Sequence, residues 1–276
     1  MDLIQALILG LVEGVTEYLP VSSTGHLLLT QRLMGIGSSD AADAFAICIQ
    51  AGAILAVLGL YHRRVGDMAL GVLGRSVGGR RMAWNILAAF LPAAALGFVL
   101  EKTIKKYLFG NEWSLWPVVA AWFVGGAAIL AVSFLRRDKP GHGSRGLSLD
   151  DLTVRMAVIV GVAQCLAMWP GVSRSLITIV GGLLVGLSLP AAVEFSFLLG
   201  VLTLSAATAY DALKHGREML HVFGPVSLAV GFVAAWISAM LSVKWMVGYL
   251  NKHGMDLFGW YRIGLAISVA IWLWRE

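Results

Sequence analysis

An all-α integral membrane protein, with about six transmembrane helices and two re-entrant helix-loop-helix hairpins in an inverted-topology repeat, is the fold that the sequence predicts. Three observations carry it. Of 276 residues, 58% are hydrophobic and 13% charged, against roughly 45–50% and 25% in soluble domains, and the mean hydropathy is +0.80. Several uncharged stretches approach the ~20 residues that a helix needs to cross the hydrocarbon core. Two further apolar regions are each interrupted by a polar turn that contains proline. The composition excludes a soluble enzyme, and a transmembrane barrel would alternate polar and apolar residues instead. The 21 basic and 16 acidic residues sit at the ends of apolar segments, so no nucleic-acid partner is expected.

The first apolar region, 3–33, follows a start with no basic residue before Arg32 and no small-residue cleavage site. It reads as retained in the mature protein. It is broken by PVSSTGH at 20–26, and the region 152–189 is broken by PGVSRS at 170–175. Each is expected to enter the membrane and turn back. Irregular backbone at that depth is tolerated only beside protein or a water-filled cavity, so both turns are expected to line a polar site. The six spanning stretches are 44–61, 83–100, 115–135, 191–213, 222–243 and 258–274. The 32 glycines, about 12% of the chain, suit close packing between such helices.

Arginine-rich segments at 62–82 and 136–155 are expected to face the cytoplasm. Both termini and the opening of the first hairpin then fall outside, together with Lys102, Lys105 and Lys106. Pro20 and Pro170, Ser23 and Ser173, and Phe45 and Phe195 are each 150 residues apart, and GLVE at 10–13 resembles GVAQ at 161–164. One membrane domain, 1–276, is therefore read as repeat 1 at about 1–135, a cytoplasmic linker at about 136–151 and repeat 2 at about 152–276. With an odd number of crossings per repeat the second copy is inverted, and a site is expected where the repeats meet.

Glu13 and Glu17 lie one turn apart on a helix whose polar stripe also holds Asp2, Gln5 and Thr16. Two neighbouring carboxylates at membrane depth repel each other and resist desolvation. A hard divalent cation, Mg²⁺ or Ca²⁺, would offset that, as would one carboxylate that holds a proton and serves as acid or base. Ser22, Ser23, Thr24 and His26 put three hydroxyls and an imidazole in the first turn. The imidazole of His26 is placed to take the Ser23 proton, or either group to hold phosphate. In the second turn, Arg174 stands between Ser173 and Ser175, with Thr178 following at a helix start. A guanidinium fork and a helix N-terminus make an oxyanion cradle there. Glu194 is expected either to favour a helix dipole or to serve the site, and Gln50 and Gln164 to bridge helices. Trp113, Trp116, Trp245 and Trp272 read as an interfacial belt, and Cys48 and Cys165 as buried small hydrophobes.

EGVTEYLPVSSTGH at 13–26, FAICIQAGAILAV at 45–57, PGVSRS at 170–175 and EFSFLL at 194–199 resemble the undecaprenyl-diphosphate phosphatases of the bacitracin-resistance type. The likeness covers both halves. It implies a bacterial inner-membrane enzyme that removes the terminal phosphate of a C55 polyprenyl diphosphate, recycling the carrier lipid for cell-wall synthesis. By position, Glu13 and Glu17 match the family's carboxylate motif, Ser22, Ser23, Thr24 and His26 its serine-histidine turn, and Ser173, Arg174, Ser175 and Thr178 its phosphate-binding turn. Leu176 stands where that family has glycine. The expected mechanism has Arg174 and its serines holding phosphate charge, a divalent cation at Glu13 and Glu17, and Ser23 or an activated water attacking in line. His26 or Glu17 is the base. Expected partners are the lipid diphosphate, membrane lipid and a second copy of the chain. The rival class is a transporter or flippase of a phosphorylated lipid or another anion, since broken helices in inverted repeats also serve alternating access.

Overall fold

The computed structural model describes residues 2–36, 40–108, 115–135, 146–222 and 224–276, with the side chains of 40–44, 100–108 and 214–222 excepted. Among these residues every regular element is a helix, apart from one isolated bridge between Leu147 and Leu187. Helices α1 (Leu3–Thr16) and α2 (Ser23–Leu33) form the first hairpin. Next come α3 (Asp40–Leu60), α4 (His62–Val72), α5 (Val77–Leu108) and α6 (Trp116–Leu135). The second hairpin is α7 (Val154–Gln164) and α8 (Arg174–Leu184), followed by α9 (Leu189–Val222), α10 (Pro225–His253) and α11 (Asp256–Arg275). Among the described residues five of these helices are long and apolar enough to cross a membrane, and α3 with α4, a pair bent by 83°, has the composition of a sixth span or a re-entrant loop. The arginine-rich segment 62–82 is thus no plain connection, because α4 occupies half of it. Much of the basic linker and Trp113 lie outside the described residues.

Sequence chemistry explains where the first helix begins and which way it faces. The Asp2 carboxylate accepts from the Gln5 N–H at 2.7 Å while the Gln5 amide oxygen accepts from the Asp2 N–H at 3.0 Å, a reciprocal cap. These two residues therefore cap α1, whereas Glu13, Thr16 and Glu17 are buried. Leu3, Ile4, Leu7, Leu11 and Val15 face outward, as a lipid-contacting stripe does.

The halves interlock. Helix α1 packs on α10 of the other half, and its repeat mate α7 packs on α5. A Cβ on Gly10 would lie 2.3 Å from the Gly231 carbonyl oxygen, and one on Gly161 would lie 2.3 Å from that of Ala89. Only glycine lets the backbones approach so closely. Mates α3 and α9 face each other, as do α6 and α11.

The turns reveal the register of the repeat. Among the described residues, Ser22 (φ 73°) and Ser173 (φ 78°) are the non-glycine residues at positive φ, and each immediately precedes the second helix of its hairpin. Ser22 is therefore the mate of Ser173, and Ser23 the mate of Arg174. The 150-residue spacing of the prolines paired Ser23 with Ser173, which is one residue out of step with the backbone.

Ion pairs mark the two ends of the molecule. Arg64 on α4 reaches Glu194 Oε1 at 2.8 Å and Asp150 at 3.7 Å, gathering the two arginine-rich connections at one end. Glu194 thus serves an ion pair instead of a helix dipole. At the other end Arg32 pairs with Glu276, and the Trp272 ring lies under the same guanidinium at 5.3 Å.

Candidate active site

The two serine turns converge on a cavity of about 570 Å³. Glu17, Ser22, Ser23, Thr24, Ser173 and Arg174 form its polar wall, while Phe90, Ala93, Gly97, Phe98, Met168 and Ala207 line an apolar flank. A charged head and a hydrocarbon body would both find a match there. Ser22 makes no side-chain cap. The first N–H groups of α2 thus have no cap from Ser22 and stand at the positive end of the helix dipole.

Glu17 is the hub of the polar wall. Its Oε2 accepts from the Ser23 hydroxyl at 2.5 Å, and its Oε1 accepts from Arg174 Nη2 at 3.1 Å. A serine hydroxyl so placed has a carboxylate base in direct contact. Arg174 Nη1 donates to the Ser196 carbonyl oxygen at 3.1 Å, and its guanidinium lies 5.4 Å above the Tyr18 ring. The guanidinium is thus fixed on three sides. Gly200 makes room for it, since a Cβ there would lie 2.1 Å from Nη1. Arg174 Nε is buried and has no partner among the described residues. Nε and Nη2 together form one edge of the guanidinium fork, a geometry that matches two oxygens of a phosphate.

Glu13 sits one turn before Glu17, 2% exposed, and does not line the cavity. Its carboxyl contacts that of Glu17, and its Oε2 has no hydrogen-bond partner among the described residues. No cluster of three or more acidic, histidine or cysteine ligands occurs among those residues. Two carboxylates with a spare oxygen are hard oxygen donors of the kind that Mg²⁺ takes.

Residues 6–268 match the family described as Bacitracin resistance protein BacA. The chain belongs to that family. It is 44% identical over 269 residues to the undecaprenyl-diphosphatase of Sorangium cellulosum, covering 97% of this chain and 85% of that protein. To the undecaprenyl-diphosphatase of Methylococcus capsulatus it is 46% identical over 268 residues, covering 97% and 94%. To that of Nitrosomonas europaea it is 45% identical over 272 residues, covering 98% and 94%.

Three of the residues expected at the site of this BacA-family protein point elsewhere. His26 does not face Ser23. Its Nδ1–H donates to the Ser22 carbonyl oxygen at 2.7 Å, so Nε2 accepts from the Tyr261 hydroxyl at 2.8 Å, and the ring stacks on Tyr261. Ser175 donates to the Leu19 carbonyl oxygen at 2.8 Å and tethers one turn to the other. Thr178, fully buried, bonds Ser196 Oγ at 2.6 Å and the Arg174 carbonyl oxygen at 2.9 Å. It lies one turn beyond the first residue of α8. Leu176, in the glycine position, is packed in the core at 1% exposure and leaves the helix start intact.

Arg262 was not anticipated. It is wholly buried, with no carboxylate partner among its bonds. Its guanidinium donates to the carbonyl oxygens of Ala121 and Gly171 at 2.8 Å, Pro20 at 3.2 Å, and Trp122 and Val172 at 3.3 Å. Pro20 belongs to the first turn, and Gly171 and Val172 to the second. One side chain therefore holds the two turns together, in space left by Gly125, where a Cβ would lie 2.3 Å from Arg262 Nη2. A lone arginine inside an otherwise apolar span was the available signal.

Proposed function

We propose that this chain removes the terminal phosphate of undecaprenyl diphosphate, with Ser23, Glu17 and Arg174 as its catalytic residues. The observation that supports this most is Glu17 bridging a serine hydroxyl and a guanidinium at the polar wall of a cavity with an apolar flank. Ser23 Oγ attacks the terminal phosphorus in line as its proton passes to Glu17 Oε2. The bond from that phosphorus to the bridging oxygen breaks, and the lipid leaves as the monophosphate. Glu17 returns that proton to the departing monophosphate, and water then attacks the phosphoserine, giving its proton to Glu17, which passes it to Ser23 Oγ as inorganic phosphate departs. Arg174 holds phosphate oxygens through its free edge as their charge develops, and the N–H groups of α2, with Ser22, Thr24 and Ser173, orient them.

Glu13 and Glu17 are the residues that would hold a Mg²⁺ or Ca²⁺ ion. Bound there, the ion would offset the charge of the diphosphate. We assign His26, Ser175 and Thr178 to the support of the turns rather than to phosphate. The chain is a multi-pass membrane protein, and we place it in the bacterial inner membrane with the cavity on the outer side. The deciding experiment is phosphate release from undecaprenyl diphosphate by the purified chain in detergent, where no gradient or sidedness exists. Turnover that is lost in Ser23→Ala and Glu17→Gln is expected. Lipid movement in vesicles with no phosphate released would establish a transporter instead.

A further inference from the structure

One buried group in the cavity wall has no role in the chemistry above. Gln164, the last residue of α7, is 2% exposed and lines the cavity that Glu17 and Arg174 line. Neither its Oε1 nor its Nε2 has a hydrogen-bond partner among the described residues. The sequence expectation of a helix bridge therefore fails for Gln164, although it holds for Gln50, whose Oε1 accepts from Thr208 on α9 at 2.7 Å. An amide stripped of water with nothing to bond is unfavourable. A bound molecule would satisfy it.

The repeat register adds the chemistry. With Ser22 the mate of Ser173, the mate of Gln164 is Glu13, so equivalent positions hold an amide in one hairpin and a carboxylate in the other. A carboxylate only accepts, whereas an amide both donates and accepts. Beside phosphate oxygens a carboxylate would repel, and an amide N–H would bond. We propose that Gln164 is a substrate-contacting residue, donating from Nε2 to a non-bridging phosphate oxygen while Oε1 accepts from a water held against the same group. Arg174 supplies charge to the phosphate, and Gln164 supplies direction without charge. The inference rests on reading the cavity as the diphosphate site.

The test compares the purified chain with Gln164→Leu and Gln164→Glu, measuring kcat, KM and Tm with undecaprenyl diphosphate, and competition by inorganic phosphate. Leucine is expected to lower kcat/KM by about 10- to 100-fold, the range for one hydrogen bond to a charged group. Its Tm should stay level or rise, because no bond within the protein is lost. Glutamate should lower kcat/KM further and weaken competition by phosphate. Wild-type kcat/KM in Gln164→Leu would overturn the proposal, as would a loss of activity matched by a loss of Tm. Should the wild-type chain release no phosphate, the reading of the cavity itself fails and this inference falls with it. An active wild type with an indifferent leucine variant rejects only the role of the amide.

Discussion

Replacing Arg262 by methionine removes the donor for carbonyl oxygens on both turns and on α6 at once. Three of its five bonds are 3.2 Å or shorter, to Ala121, Gly171 and Pro20. A buried carbonyl left unpaired costs about 1–3 kcal/mol, and part of that is regained because an uncompensated charge is no longer buried. Pro20 and Gly171 lie outside helices and lose their partner, while Ala121 keeps its bond within α6, so the net loss is about 2–4 kcal/mol. For a chain of this size each kcal/mol moves Tm by about 2–4 °C, so a fall on the order of 10 °C is expected in detergent. The catalytic effect follows from geometry. Ser23 and Arg174 stand on opposite turns, and a misplacement of about 1 Å lowers turnover by about 100-fold. Arg262→Lys keeps the charge but offers one compact head that does not span both turns, so it should retain more stability than methionine and still turn over slowly. Thermal unfolding with kcat on the same preparations checks both halves of the argument. An Arg262→Met protein with wild-type Tm and wild-type kcat/KM would refute the tie between the turns.

At Arg174, lysine keeps the charge and loses the planar edge. Arg174→Lys should lower kcat and kcat/KM together by about 10- to 1000-fold, and a change confined to KM would reduce Arg174 to a docking residue. Exhaustive chelation should abolish phosphate release and added Mg²⁺ or Ca²⁺ restore it, while full activity after verified metal removal would take the cation out of the reaction. In a background without Cys48 and Cys165, Glu276→Cys should react with an impermeant thiol reagent on intact cells. Asp150→Cys should react only after permeabilisation, and the reverse pattern would invert the orientation.

Much of the fold was legible because membrane helices announce themselves by apolar length, and the broken regions by proline and serine inside such length. The turns themselves were legible down to Glu17, Ser23 and Arg174. What pattern did not carry was direction. Ser23 and His26 are three residues apart, which on a helix separates them by only about 60°, yet Ser23 faces Glu17 and His26 faces Tyr261. That difference is set by the positive-φ start at Ser22 and by the position of α11, neither of which is written in local spacing. The repeat register slipped for a related reason. Prolines were matched at 150 residues, but the backbone matches the strained residues that open α2 and α8. The lone charge of Arg262 in an apolar span signals a role but not which one, because its partners are all main-chain oxygens, which no residue type betrays. The thiols of Cys48 and Cys165 proved free and only half-buried.

The packing of α1 against α10 has a consequence for biosynthesis. Gly10 meets a backbone that follows about 220 residues later, and a ribosome adding roughly 5–20 residues per second needs about 10–45 s to supply it. Through that interval the first hairpin, with Glu13 and Glu17 already made, waits in or at the bilayer without the surface that buries it. Neither half of the chain can build the cavity alone, because each half contributes one serine turn and shelters the other's leading helix. The catalytic centre is therefore assembled late, when the last two helices insert and Arg262 arrives to close the turns on each other. A chain truncated before α10 is expected to release no phosphate.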